Sequence, residues 1–165
     1  MNRRNLFVVG TAAIAAVPFA GFSQTTAAAP SDPEKQPALL GGNFALLSSN
    51  IASDKATDPT VKTFAAFEIT EQQAVALAFA AEAGAGGVSE KHAALLAQLE
   101  AAPAGPAFDM MYVDSQIAGH QELRAIHAAY AKKGSDPMAR GASIVGVPAI
   151  ETHLAMLRGI KQRLA

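Results

Sequence analysis

The chain has 165 residues, 50% hydrophobic but only 6% aromatic and 16% charged, so one alanine-rich domain is expected and a large multidomain enzyme is excluded. A formal charge of −1 gives no basic field for nucleic acid. The absence of cysteine excludes disulfides, thiolate metal sites, a cysteine nucleophile and a lipid-modified cysteine anchor.

From Met1 to Ala29 there is no acidic residue. Arg3-Arg4 precede an apolar run from Leu6 to Val17, and Thr25 to Ala29 supply the small residues of a peptidase site. Residues 1–28 therefore read as a cleaved export signal, cut after Ala27 or Ala28 because Pro30 disfavours cleavage directly before it. Asn2-Arg3-Arg4-Asn5-Leu6-Phe7 also fits the twin-arginine pattern, although ordinary export signals carry paired basic residues too. The competing reading, a retained membrane anchor, is weakened by the short run and by Gly10, Pro18 and Gly21. Loss of Arg3 and Arg4 leaves 11 basic residues against 14 acidic ones. The mature chain is thus expected to be acidic and periplasmic or secreted, with no stable membrane span and no nucleic-acid partner. Its partner would be an unknown protein or a component of the envelope.

Residues 29–37 hold three prolines with Asp32, Glu34 and Lys35, a composition that suits a tether. The domain is expected over 38–165. Asp58-Pro59, Ser89-Glu90 and Ser135-Asp136-Pro137 each place a capping side chain before a helical first turn. Helices are predicted over 39–55, 59–83, 90–101, 105–132 and 136–163, separated at Gly84 to Gly87, at Pro103 to Pro106 and at Lys133-Gly134. Gly146 and Pro148 predict a kink or restart in the last of them. Alternating β-branched runs are lacking, so the fold class is all-α: a four-helix bundle with a short extra connector helix.

Helical spacing makes the core-facing stripes predictable, and several carry polar residues. Val61, Phe64, Val75 and Ala78 define a stripe on the second helix that passes through Glu68 and Glu71. On the next long helix Leu123, Ile126 and Tyr130 extend upstream through His120, Gln116, Tyr112 and Asp109. His153 sits among Ile150, Leu157, Ile160 and Leu164. Buried polar groups must satisfy one another, so the first reading is a structural polar network to which Asp109, Tyr112 and Gln116 belong. The second is a mononuclear transition-metal site made by His120, His153 and Glu68 or Glu71. A di-iron centre is not expected, because Glu-x-x-His pairs are missing and the first helix has no Glu. His127 and His92 are expected at solvated edges. No Ser–His–Asp signature, nucleophile elbow or phosphate loop is present, which leaves no residue assigned to catalysis.

Phe108-Asp109-x-x-Tyr112 with His120 downstream, Pro148-x-x-x-x-His153-Leu154 near the end and Val61-Lys62-x-Phe64-Ala65 earlier resemble the domain of unknown function 4142 family. The similarity runs from about Leu40 to Lys161. The resemblance implies a small exported bacterial protein, a periplasmic or outer-membrane one, with a ferritin-like four-helix bundle and no established activity. The commoner family form carries Asp-His where Glu71-Gln72 stands here, which removes one potential ligand. The function expected is a non-enzymatic interaction or stress-associated module of the periplasm or cell surface; the alternative is a metal-binding or redox protein using the bundle's histidines and carboxylates.

Overall fold

The computed structural model describes residues 33–165. The expected export signal, its cleavage site and residues 29–32 of the expected tether lie outside them. Five helices and no strands occur among the described residues: α1 (Gln36–Lys55), α2 (Pro59–Ala78), α3 (Glu90–Ala101), α4 (Pro106–Lys133) and α5 (Pro137–Leu164). None is long and apolar enough to cross a membrane.

The caps follow from the local sequence. Asp58 accepts from the amides of Thr60 and Val61, Ser89 from that of His92, and Asp136 from those of Met138 and Ala139. Each thereby satisfies amides that have no partner inside the helix. Pro59, Pro106 and Pro137 stand at the starts of their helices, where a missing N–H costs nothing. Gly105, at φ 141°, turns the chain into α4 in a conformation that favours glycine. α1 begins at Gln36, two residues inside the segment expected as a tether, and the buried Lys35 ammonium pairs with Asp136 at 2.7 Å. α2 ends five residues earlier than its apolar pattern predicts. Ala80 takes φ 57°, and Asn43 of α1 then holds the following loop, donating to the carbonyls of Ala85 and Gly87 and accepting from the Gly84 amide. Of the kink or restart expected at Gly146 and Pro148, the restart is absent: α5 runs through both residues. Proline leaves the Ile144 carbonyl without its helical donor, and Ile144 lies on the exposed side, where that carbonyl is not sealed in the core.

Short links join α1 to α2 and α4 to α5, and the long helices contact in the cyclic order α1, α2, α5, α4. α3 lies across α1 and α4. Lys55 fastens it there by donating to the carbonyls of Leu99 and Glu100, which its own last turn leaves free. At the α1–α2 link, Asp109 accepts from the amides of Thr57 and Asp58 and from the Thr57 hydroxyl. The acid of the Phe-Asp-x-x-Tyr element is thus a structural clamp on the opposite hairpin.

The apolar core is divided. One cluster gathers Phe64, Phe108, Tyr112, Leu157 and Ile160, and another gathers Phe79, Tyr130 and Ala139 at the opposite end. Between them on α2, α4 and α5 lie the buried Glu68, Gln72, Gln116, His120 and His153.

Candidate metal centre

Three helices each bring one chemically competent side chain to the polar layer. Glu68 follows Phe64 by one turn on α2, His120 follows Gln116 by one turn on α4, and His153 stands between Ile150 and Leu157 on α5. Glu68 Oε2 lies 3.2 Å from His120 Nε2 and 3.2 Å from His153 Nδ1, and those nitrogens are 3.3 Å apart. The three atoms form a nearly equilateral triangle. Tetrahedral N and O ligands at ~2.0–2.2 Å from a metal are separated by roughly 3.3–3.5 Å, close to these edges.

Each member is oriented from behind. The Gln116 carbonyl lies 2.9 Å from His120 Nδ1 and can only accept, so Nδ1 carries the hydrogen and Nε2 presents its lone pair. Gln72 donates to Glu68 Oε1 at 2.8 Å. Glu71 Oε2 stands 3.3 Å from His153 Nε2, on the far side of the ring from the triangle. Such outer partners fix tautomer and ring orientation in metal sites. Phe64 closes one side with its ring centroid 6.0 Å from that of His120 and 5.5 Å from that of His153.

The triangle favours positive charge at its centre. Burial pushes the Glu68 carboxyl up, but the two imidazoles facing it prevail and bring it down to about 2. Glu68 opposite Nδ1 raises His153 against the effect of burial. Burial raises Glu71, whereas the neighbouring His153 acts in the other direction. A proton shared between His120 Nε2 and His153 Nδ1 satisfies both nitrogens. That proton then does not serve Glu68 Oε2, which stands 3.2 Å from each of the same two nitrogens, so one proton bridges only two of the three atoms at a time. A cation within the triangle meets all three atoms at once.

Of the residues singled out in the sequence, Glu68, His120 and His153 come together, and Glu71 stands behind His153 without reaching His120. Among the described residues they form the one cluster of three groups able to hold a metal. Gln116 and Tyr112 belong to an adjoining network: Gln116 Nε2 donates to Ser48 Oγ at 2.8 Å, and Ser49 Oγ lies 2.8 Å from the Tyr112 hydroxyl. Asp109 is apart from both. Gln72 was missed as a supporting residue, although its i+4 spacing from Glu68 places it on the same face.

His92 and His127 are both buried, contrary to expectation. His127 follows His120 by seven residues, which on a 3.6-residue helix returns it to the same face. It meets Phe79 edge-on at 5.7 Å and contacts Ser143 Oγ at 3.0 Å. His92 is covered because α3 packs inward, stacking its ring on Phe44 at 4.2 Å.

Burial alone pulls His127 down to about 4 from 6.5. The unfolded chain therefore binds more protons than the folded one between these values, and the contribution of neutral His127 is complete above about pH 6.5 and lost as pH falls toward 4. The stability advantage of the wild type over His127→Gln is expected to shrink by up to about 3 kcal/mol across that window in urea denaturation. A difference that does not vary with pH would contradict it.

The architecture defines an all-helical bundle with a buried histidine–carboxylate cluster. Residues 20–160 match the family described as Domain of unknown function (DUF4142), and the chain belongs to it. No curated protein and no solved structure matches it.

Proposed function

We propose that the protein binds one divalent transition-metal ion between Glu68, His120 and His153. The observation that carries this is the convergence of three donor atoms from three helices on one point, with every pair 3.2–3.3 Å apart. It favours the second of the two functions expected from the sequence. Imidazole and carboxylate ligands without sulfur suit Zn(II), Fe(II), Mn(II) or Co(II) better than Cu(I), and two histidines with one carboxylate recur in catalytic zinc and non-haem iron sites. The bundle is read as ferritin-like, a class in which metals sit between facing helices, here with a single ion.

Elemental analysis of protein purified from its native compartment tests the reading. One equivalent of metal is expected, lost in the His120→Ala, His153→Ala double variant. A metal-free wild type would contradict it.

The N-terminal pattern supports export, and with it a periplasmic or cell-surface site of action. If the twin-arginine route carries the protein, replacing Arg3 and Arg4 with Lys leaves unprocessed precursor in the cytoplasm, because the route reads the guanidinium pair and not charge alone. Normal processing of that variant assigns the protein to the general export route.

A further inference from the structure

The geometry points to a second property, which rests on the proposed metal reading: the ion keeps an exchangeable coordination position for a small anion, entered from the α2–α5 side past Glu71. The donor count opens the argument. Three ligand atoms leave a tetrahedral ion one position short and an octahedral ion three short, and no fourth His, Asp or Glu joins the cluster among the described residues. The triangle also confines the ion to a point on one of its two faces. With edges of 3.2–3.3 Å its corners lie ~1.9 Å from its centre, so an ion with bonds of ~2.0–2.2 Å stands roughly 1 Å out of the plane. Its remaining coordination is therefore directed away from all three protein ligands.

Exposure shows where an incoming ligand enters. The side chains of Glu68 and His120 are 0% and 1% exposed, whereas those of His153 and Glu71 are 11% and 32% exposed. Solvent thus reaches the cluster at its α2–α5 edge. These two helices pack together far less extensively than α4 with α5 or α1 with α2. On the α1 side, the Gln116 amide is spent on Ser48 and Ser49. Along the same seam a cleft of about 380 Å³ has Phe64 in its lining. The ring that walls the two imidazoles, itself buried, thus also lines that cleft.

Charge sets the ligand class. A divalent ion with one carboxylate and two neutral imidazoles carries a net single positive charge in a buried place, and a monoanion neutralises it. Occupancy proceeds by exchange for a bound water, without any change of oxidation state. Glu71 stands at the entrance as the negative group such a ligand must pass. As a positioning residue it also faces His153 Nε2.

The full chain loaded with one equivalent of Co(II) and titrated with azide provides the test, read in the visible d–d bands. A saturable 1:1 spectral change is expected. Glu71→Gln keeps an acceptor for His153 but removes the charge at the entrance. It is expected to tighten azide binding about 3- to 10-fold and to leave the affinity for neutral imidazole unchanged. Tight 1:1 Co(II) binding with a spectrum that azide does not alter would overturn the exchangeable position and leave the metal reading standing. Equal changes for azide and imidazole in Glu71→Gln would overturn the assigned entrance. Failure of the wild type to bind Co(II) would overturn the metal reading itself, and this inference with it.

Discussion

Replacing Glu68 with Gln is expected to lower divalent-metal affinity by at least ~100-fold while the helical fold persists. The carboxylate is the only anionic member of the triangle, and losing an outer partner of a metal ligand already costs ~10–100-fold. Gln has nearly the same shape, so the void and backbone shifts of a truncation are avoided. Its carbonyl can still accept from Gln72, which now donates to Glu68 Oε1. Its amide can donate to the lone pair of His120 Nε2. The variant therefore separates the two readings of the polar layer. A network whose role is to hold helix register changes little, because the hydrogen bonds are remade; a metal centre loses its charge-bearing ligand. Isothermal titration with Zn(II) or Co(II), beside thermal unfolding of the metal-free protein, measures both. Wild-type affinity in Glu68→Gln would remove the carboxylate from the site.

Phe64→Ala is expected to be the most destabilising single change, costing about 3–5 kcal/mol. Phe64 is 1% exposed, belongs to the larger apolar cluster and reaches the rings of Tyr112, His120 and His153. Truncation opens a cavity beside the polar layer, which the imidazoles cannot fill without leaving Glu68. Water entering that cavity would solvate the carboxylate and relax the triangle, so metal affinity should fall in parallel with stability. Phe67, three residues on and 56% exposed, supplies the control. Phe67→Ala should stay within about 0.5 kcal/mol of the wild type in urea denaturation. Comparable losses at both positions would mean that the cluster beneath Phe64 does not carry the stability assigned to it.

The helices were legible because punctuation and periodicity agree. Asp58-Pro59, Ser89-Glu90 and Asp136-Pro137 mark their starts to within a residue, since a capping carboxylate or hydroxyl acts locally and needs no tertiary context. The end of α2 was not legible. The alanine-rich pattern continues to about residue 83, and what stops the helix is the left-handed Ala80 together with Asn43, distant in sequence, binding the following loop. A tertiary hydrogen bond of that kind leaves no mark on the local pattern. Continuity through Pro148 had the same character: local chemistry predicts a kink or restart, but α5, which packs extensively on α4, is not interrupted there.

The candidate site was legible as three separate anomalies, polar side chains at positions where spacing demands apolar ones. That spacing could not decide between Glu68 and Glu71. Both lie near the edge of one stripe, and a difference of three residues rotates a side chain by about 60° around the helix. Only the placement of α5 resolves the choice: it brings His153 Nδ1 to Glu68 and turns Nε2 toward Glu71, giving the two carboxylates different roles. His127 shows the converse error. The expectation places it at a solvated edge, whereas its seven-residue spacing from His120 returns it to the buried stripe, where Phe79 and Ser143 accommodate it.

The central claim is that one ion sits among Glu68, His120 and His153, and anomalous diffraction from crystals of the Co(II)-loaded full chain tests it most directly. Data collected on the two sides of the cobalt edge are expected to show one peak at the bundle's polar layer, ~2.0–2.2 Å from Glu68 Oε2, His120 Nε2 and His153 Nδ1. The outer partners Gln72, Gln116 and Glu71 should remain on the opposite faces of their ligands. A polar layer without a peak in crystals that bind cobalt elsewhere, or a peak bonded to the outer nitrogens Nδ1 of His120 or Nε2 of His153, would contradict the account.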